Sequence, residues 1–140
     1  MAPIDFQVTV DAVDPHALAR FWAAALGYDV EDHTDFIRSL LDQGVATDDD
    51  VIEVDGRLAW RTGAAIRHPD GGRRILFMQV GDPTPGKNRW HLDLNVGKER
   101  IDTEVARLTT LGANMHAQVD EPGAFHTTMA DPEGNLFCVQ

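Results

Sequence analysis

Two stretches of this chain alternate apolar and polar residues with period two. In the first, Ile4, Phe6, Val8 and Val10 share one face, and Asp5, Gln7 and Thr9 the other. In the second, over positions 87–96, Trp90, Leu92, Leu94 and Val96 oppose His91, Asp93 and Asn95. Side chains along a strand point to opposite sides in turn, so both stretches are predicted as strands. One face of each belongs to a core, and the other looks into water or a lined cleft. A helix is predicted after each strand. Asp14 and Pro15 supply an N-cap and a proline at the first helical position. Leu18, Phe21, Trp22, Ala25 and Leu26 then fall on one face, and Gly27 supplies the stop. In the second half Ile101, Val105, Leu108 and Leu111 make the stripe, and Gly112 follows.

Gln7 and His91 are 84 positions apart, and Gly27 and Gly112 are 85 apart. Near-constant spacing of two strand–helix units indicates a duplicated module. Further strands are predicted at positions 28–30, 57–67 and 74–80 in the first half, and at 113–119, 124–130 and 136–139 in the second. The turn His68-Pro69-Asp70-Gly71-Gly72 echoes Asp131-Pro132-Glu133-Gly134-Asn135. Each half therefore reads β-α-β-β-β, an α+β pattern with mostly antiparallel pairing. Phe36, Ile37, Leu40 and Leu41 recur at helical spacing with no counterpart in the second half, so this helix is read as an insertion. The Pro/Gly-rich run at positions 81–86 is the expected hinge, giving one domain over 1–140 with module one at 1–84 and module two at 85–140.

Composition narrows the partners. With 12 Lys and Arg against 23 Asp and Glu, the net charge of −11 argues against nucleic acid and anionic membrane. The single Cys138 cannot close an internal disulfide, and no leader or long apolar run is evident, so a cytoplasmic protein is expected. Asp48, Asp49 and Asp50 read as a solvated turn, because the spacing of a calcium loop is absent. His91 and Asp93 share a strand face, where the carboxylate can fix the imidazole for acid–base work or ligation; a polar face bonded to water is the competing reading. Trp22 and Trp90 fall on apolar faces and read as core, while Trp60 is open to a pocket role. Arg57, Arg61 and Arg67 either clamp an anion or are merely solvated. His16, His33, His68 and His116 read as solvent-facing, and Cys138, beside Phe137 and Val139, as a buried thiol.

The layout resembles the vicinal oxygen chelate superfamily, the glyoxalase/bleomycin-resistance/dioxygenase fold, and within it the glyoxalase-like domain group. The resemblance is carried by Phe6-Gln7-Val8-Thr9-Val10, Leu18-Ala19-Arg20-Phe21-Trp22, Leu26-Gly27-Tyr28, positions 87–93, Leu111-Gly112-Ala113 and positions 131–138. It implies two tandem modules whose curved sheets form a cleft, with pairing into homodimers. It also implies a single divalent metal held by first and last strands, at positions falling on Gln7, Gln79, His91 and Cys138. The glutamate usual in such sites is replaced here by Cys138, which would favour zinc over harder ions. The expected function is a small-molecule binder acting as a glyoxalase-type lyase or isomerase on a small oxygenated metabolite. His91 and Asp93 would be catalytic, with Gln7, Trp60, Arg61, Gln79 and Cys138 lining the substrate. The alternative is a metal-free protein that sequesters a drug, as in bleomycin resistance.

Overall fold

The structure, a computed structural model, describes residues 2–81 and 86–140; most of the expected hinge, at 82–85, lies outside the described residues. The chain divides into two compact units, Met1–Pro83 and Thr84–Gln140. Unit 1 contains β1 (Val8–Ala12), α1 (Pro15–Leu26), β2 (Asp29–Val30), α2 (Thr34–Asp42), β3 (Val51–Val54), β4 (Arg57–Trp60), β5 (Gly63–Arg67) and β6 (Arg74–Gln79). Unit 2 contains β7 (Asp93–Leu94), α3 (Ile101–Leu111), β8 (Asn114–Glu121), β9 (Ala124–Ala130) and β10 (Leu136–Val139).

The sheet of unit 1 runs β1-β6-β5-β2 and that of unit 2 runs β7-β10-β9-β8. Once the β3–β4 ribbon is set aside, these are the same strand order on the same β-α-β-β-β chain path. In both, the first strand pairs parallel with the last and the remaining pairs are antiparallel. The fold is α+β, as the pattern predicts.

Helix α1 begins where the sequence says it should. Asp14 is extended, and its carboxylate accepts from the Ala17 amide at 3.1 Å, satisfying one of the first-turn donors that a helix leaves open. Gly27 ends the helix at φ 71°, a left-handed conformation that costs a side-chain-bearing residue strain. Leu18, Phe21, Trp22 and Ala25 are buried, along with Ala12, Ile66, Ile75 and Phe77 of the sheet. Unit 2 has its own core of Ile101, Leu108, Met129, Phe137 and Val139. On β10, Phe137 and Val139 are buried while Leu136 and Cys138 are half-buried, so Cys138 lies on the open face rather than in the core.

Three predicted strands are corrected. The strand expected over 87–96 shrinks to Asp93–Leu94, and Trp90, read as core, is 93% exposed. The cause is local. Asn88 donates through Nδ2 to the Leu136 carbonyl at 3.0 Å and accepts the Leu136 amide on Oδ1 at 2.7 Å. A side-chain amide thus takes the ladder position a strand would have used, and main-chain pairing starts only at Leu92, whose carbonyl accepts the Cys138 amide. Likewise β1 starts at Val8, opposite Ile75, so Ile4 and Phe6 precede the ladder and remain exposed. The single strand expected over 57–67 is two, broken at Arg61-Thr62; β4 pairs with the unforeseen β3 in a ribbon within the insertion.

Candidate functional site

The open face of the unit 2 sheet brings His91, Asp93 and Cys138 together. One ligand atom from each lies within 4.8 Å of the others. Strand register accounts for the cluster. Asp93 is the direct partner of Cys138 across the parallel β7–β10 pair, and His91 stands two residues before Asp93. His91 Nε2 is 3.3 Å from Asp93 Oδ1, both side chains being a little under half exposed. Thr128, the partner of Cys138 on β9, holds its hydroxyl 3.8 Å from Sγ.

Internal register also fixes the corresponding positions in unit 1. The hairpin mates Ala130–Leu136 and Arg67–Arg74 open equivalent pairs, so Cys138 corresponds to Leu76, Asp93 to Thr9 and His91 to Gln7. Leu76 cannot ligate. Gln79, expected near that position, lies three residues further on, opposite Ala12, and its amide donates to the Val13 carbonyl at 3.3 Å. Gln7 accepts from Arg74 Nη1 at 3.0 Å.

The open face of unit 1 carries a charged network that sequence reasoning missed. Arg74 Nε donates to both Glu31 oxygens, at 3.0 and 2.9 Å, and Arg67 Nε reaches Oε2 at 3.2 Å. His33 Nε2 is 3.3 Å from Oε1. The Arg74 hydrogen bond is the main cause holding the Glu31 carboxyl below its ordinary range, and it outweighs the opposing effect of burial. The available signal was the placement of Arg67 and Arg74 either side of the His68–Gly72 turn, which makes them hairpin mates on one face. His16 and His33, read as solvent-facing, are half-buried; His16 Nε2 lies 2.8 Å from the Trp60 carbonyl. His68 is half-buried too, edge-on to Tyr28 with ring centroids 5.1 Å apart.

Beside this network is a hollow of about 510 Å³ lined by Leu40, Val45, Trp60, Arg74, Leu76 and Met78 among others. Trp60 sits edge-on to Phe36 of α2, with ring centroids 6.4 Å apart. Arg61 spends Nε on the Asp49 carbonyl and Nη2 on that of Val51, stitching the end of β4 to the start of β3.

Each unit is thus a helix on a four-stranded sheet of the same strand order, and the sheet of unit 2 carries three side chains of types that could hold a metal ion. The chain belongs to the glyoxalase-like domain family, whose profile matches residues 7–140. The fold is similar to a glyoxalase/bleomycin resistance protein/dioxygenase family enzyme from Burkholderia phytofirmans PsJN. The identity is 16%, with 95% of this chain and 94% of that one covered, at a TM-score of 0.64. The fosfomycin resistance protein FosX from Mesorhizobium loti is 14% identical, covering 100% and 92% of the two chains, at a TM-score of 0.65. A mutant FosX from Listeria monocytogenes, solved complexed with Mn(II) and 1S,2S-dihydroxypropylphosphonic acid, is 15% identical over 100% and 90%, at a TM-score of 0.63. No curated protein matches the chain. Among the described residues, no helix is long and apolar enough to cross a membrane.

Proposed function

We propose that this protein binds a small oxygenated metabolite at a centre formed by His91, Asp93 and Cys138, and that the reaction is of the glyoxalase lyase or isomerase class. The observation that carries the reading is the convergence of an imidazole, a carboxylate and a thiol within 4.8 Å on an open sheet face. This donor set fits a divalent ion of borderline softness. Zinc takes nitrogen, oxygen and sulfur ligands, whereas magnesium and calcium want oxygen alone. Manganese, present in the FosX complex, is harder than a thiolate site prefers. His91, Asp93 and Cys138 would hold the ion, which supplies Lewis acidity toward a carbonyl or enediolate oxygen. Of the chain's own groups, Asp93 orients the His91 ring, and Thr128 offers a hydroxyl to the sulfur when it is a thiolate.

Metal loading tests this. Stoichiometric Zn²⁺ or Co²⁺ should raise Tm, while Mg²⁺ and Ca²⁺ at the same concentration should not. The Co²⁺ form should show thiolate-to-cobalt charge-transfer absorption that Cys138→Ser abolishes, and His91→Ala should lose stoichiometric binding. No shift with Zn²⁺ or Co²⁺, or an unchanged cobalt spectrum in Cys138→Ser, overturns the centre.

The second reading, metal-free sequestration of an organic molecule, is favoured by the largely apolar hollow of unit 1, which contains none of the three ligating residues. A homodimer is supported by the apolar side chains left in solvent at Ile4, Phe6 and Trp90, of the kind that anchor interfaces; a monomer by sedimentation would remove it.

A further inference from the structure

We propose that the hollow on unit 1 binds an organic carboxylate with an apolar body, its carboxylate taken by Arg74. The proposal goes beyond the metal-centre reading, since the lining of the hollow contains none of His91, Asp93 and Cys138, and it is independent of the metal.

Three observations carry it. First, size and lining suit a small ligand. About 510 Å³ is within the range of small-molecule sites, roughly 300–1,000 Å³. Val45 and Met78, two of the chain's exposed large apolar residues, both line it. Apolar side chains left in solvent within a concave site mark a surface made to be covered. Its far wall comes from the insertion, through Leu40, Val45 and Trp60, for which unit 2 has no counterpart.

Second, Arg74 is held ready. Nε is fixed by Glu31 and one Nη1 proton by Gln7. Nη2 has no protein partner among the described residues, and the side chain is 23% exposed. With Nε and Nη1 already held, the guanidinium is ordered and offers Nη2 as a donor at little further entropic cost.

Third, two other charged groups of the lining are turned to the backbone. Asp50 accepts the Thr47 amide at 2.8 Å, and Arg61 donates to the Asp49 and Val51 carbonyls. Arg61 and Arg74 balance Asp49 and Asp50 in formal charge, so the anion is selected by the Arg74 donor itself rather than by a net field.

The test compares three probes of one shape on the full chain by calorimetry: 4-phenylbutyrate, 4-phenylbutanol and 4-phenylbutylamine. The carboxylate should bind at least tenfold more tightly than the alcohol, and the amine should bind most weakly. Arg74→Gln should erase the preference of carboxylate over alcohol, and Arg74→Lys should keep part of it. Because Arg74 also holds Glu31, Met78→Glu is the second variant. It leaves that network whole, puts a negative charge on the wall, and should cost the carboxylate at least tenfold while the alcohol changes little. Zinc-dependent stabilisation should survive in every variant, so failure here is separable from failure of the metal centre. Equal binding of amine and carboxylate, no binding of any probe at millimolar concentration, or an undiminished preference in both Arg74→Gln and Met78→Glu overturns the proposal.

Discussion

Glu31 is the residue on which the open face of unit 1 turns. Its side chain is 15% exposed and takes hydrogen bonds from two arginines. A bond to a charged partner contributes about 1.5–3 kcal/mol, and the 41% exposure of Arg67 reduces its share, so Glu31→Gln should cost about 1–2 kcal/mol at pH 7. The sign with pH follows from the direction of the shift. The folded pKa is below the ordinary 4.5, so the stabilisation is complete above that value and is lost as pH falls through the folded pKa. Urea denaturation should therefore show wild type and Glu31→Gln converging below about pH 4.5, in keeping with the linkage relation, while a constant difference down to pH 3 would mean that the carboxylate is not the stabilising group. Nothing in the local sequence marks Glu31, because its two arginine partners lie more than thirty residues away. His91 and Asp93 are different. Their two-residue spacing is readable on any strand, and the family likeness supplies Cys138.

At the scale of elements, legibility follows how local the determining forces are. Helix α1 is written within its own residues: Asp14 caps, Pro15 starts, Gly27 stops, and Leu18, Phe21 and Trp22 mark the buried side. Asp14→Ala should lower stability by about 1 kcal/mol, with an unchanged denaturant slope, because it removes a first-turn acceptor without changing the surface buried. An unchanged midpoint would mean that the Ala17 amide finds another acceptor. Strands are less self-contained. Period-two alternation in positions 4–10 and 87–96 says which way side chains point, not where the partner ladder ends. β6 begins at Arg74 and so leaves Ile4 and Phe6 unpaired, while the Asn88 amide occupies Leu136 and leaves Trp90 outside. The β3–β4 ribbon was illegible for the related reason that two four-residue strands in an insertion have no long pattern to read.

Over the whole molecule, the organising fact is a strand order that occurs twice, and it shows in topology more clearly than in sequence. The spacing of Gln7 to His91 suggests a repeat; the orders β1-β6-β5-β2 and β7-β10-β9-β8 exhibit one. The two units differ in chemistry. Where unit 2 places His91, Asp93 and Cys138, unit 1 has Gln7, Thr9 and Leu76, and it has instead gained an insertion, a hollow and the Glu31 network. Divergence of this kind is tolerated because each helix covers its own sheet: α1 packs on β5 and β6, and α3 on β8, β9 and β10. Leu18 and Leu108 are each buried in the core of their own unit, 1% and 0% exposed. Truncating either to alanine should cost about 2–5 kcal/mol. Cores closed in this way open as separate cooperative units, so the loss should be local. In native-state hydrogen exchange, Leu108→Ala should accelerate the amides of β9 and β10 by about tenfold or more over those of β5 and β6, and Leu18→Ala should do the reverse. Equal acceleration in both sheets from either substitution would mean that the two cores open as one, and that the repeat survives only as topology.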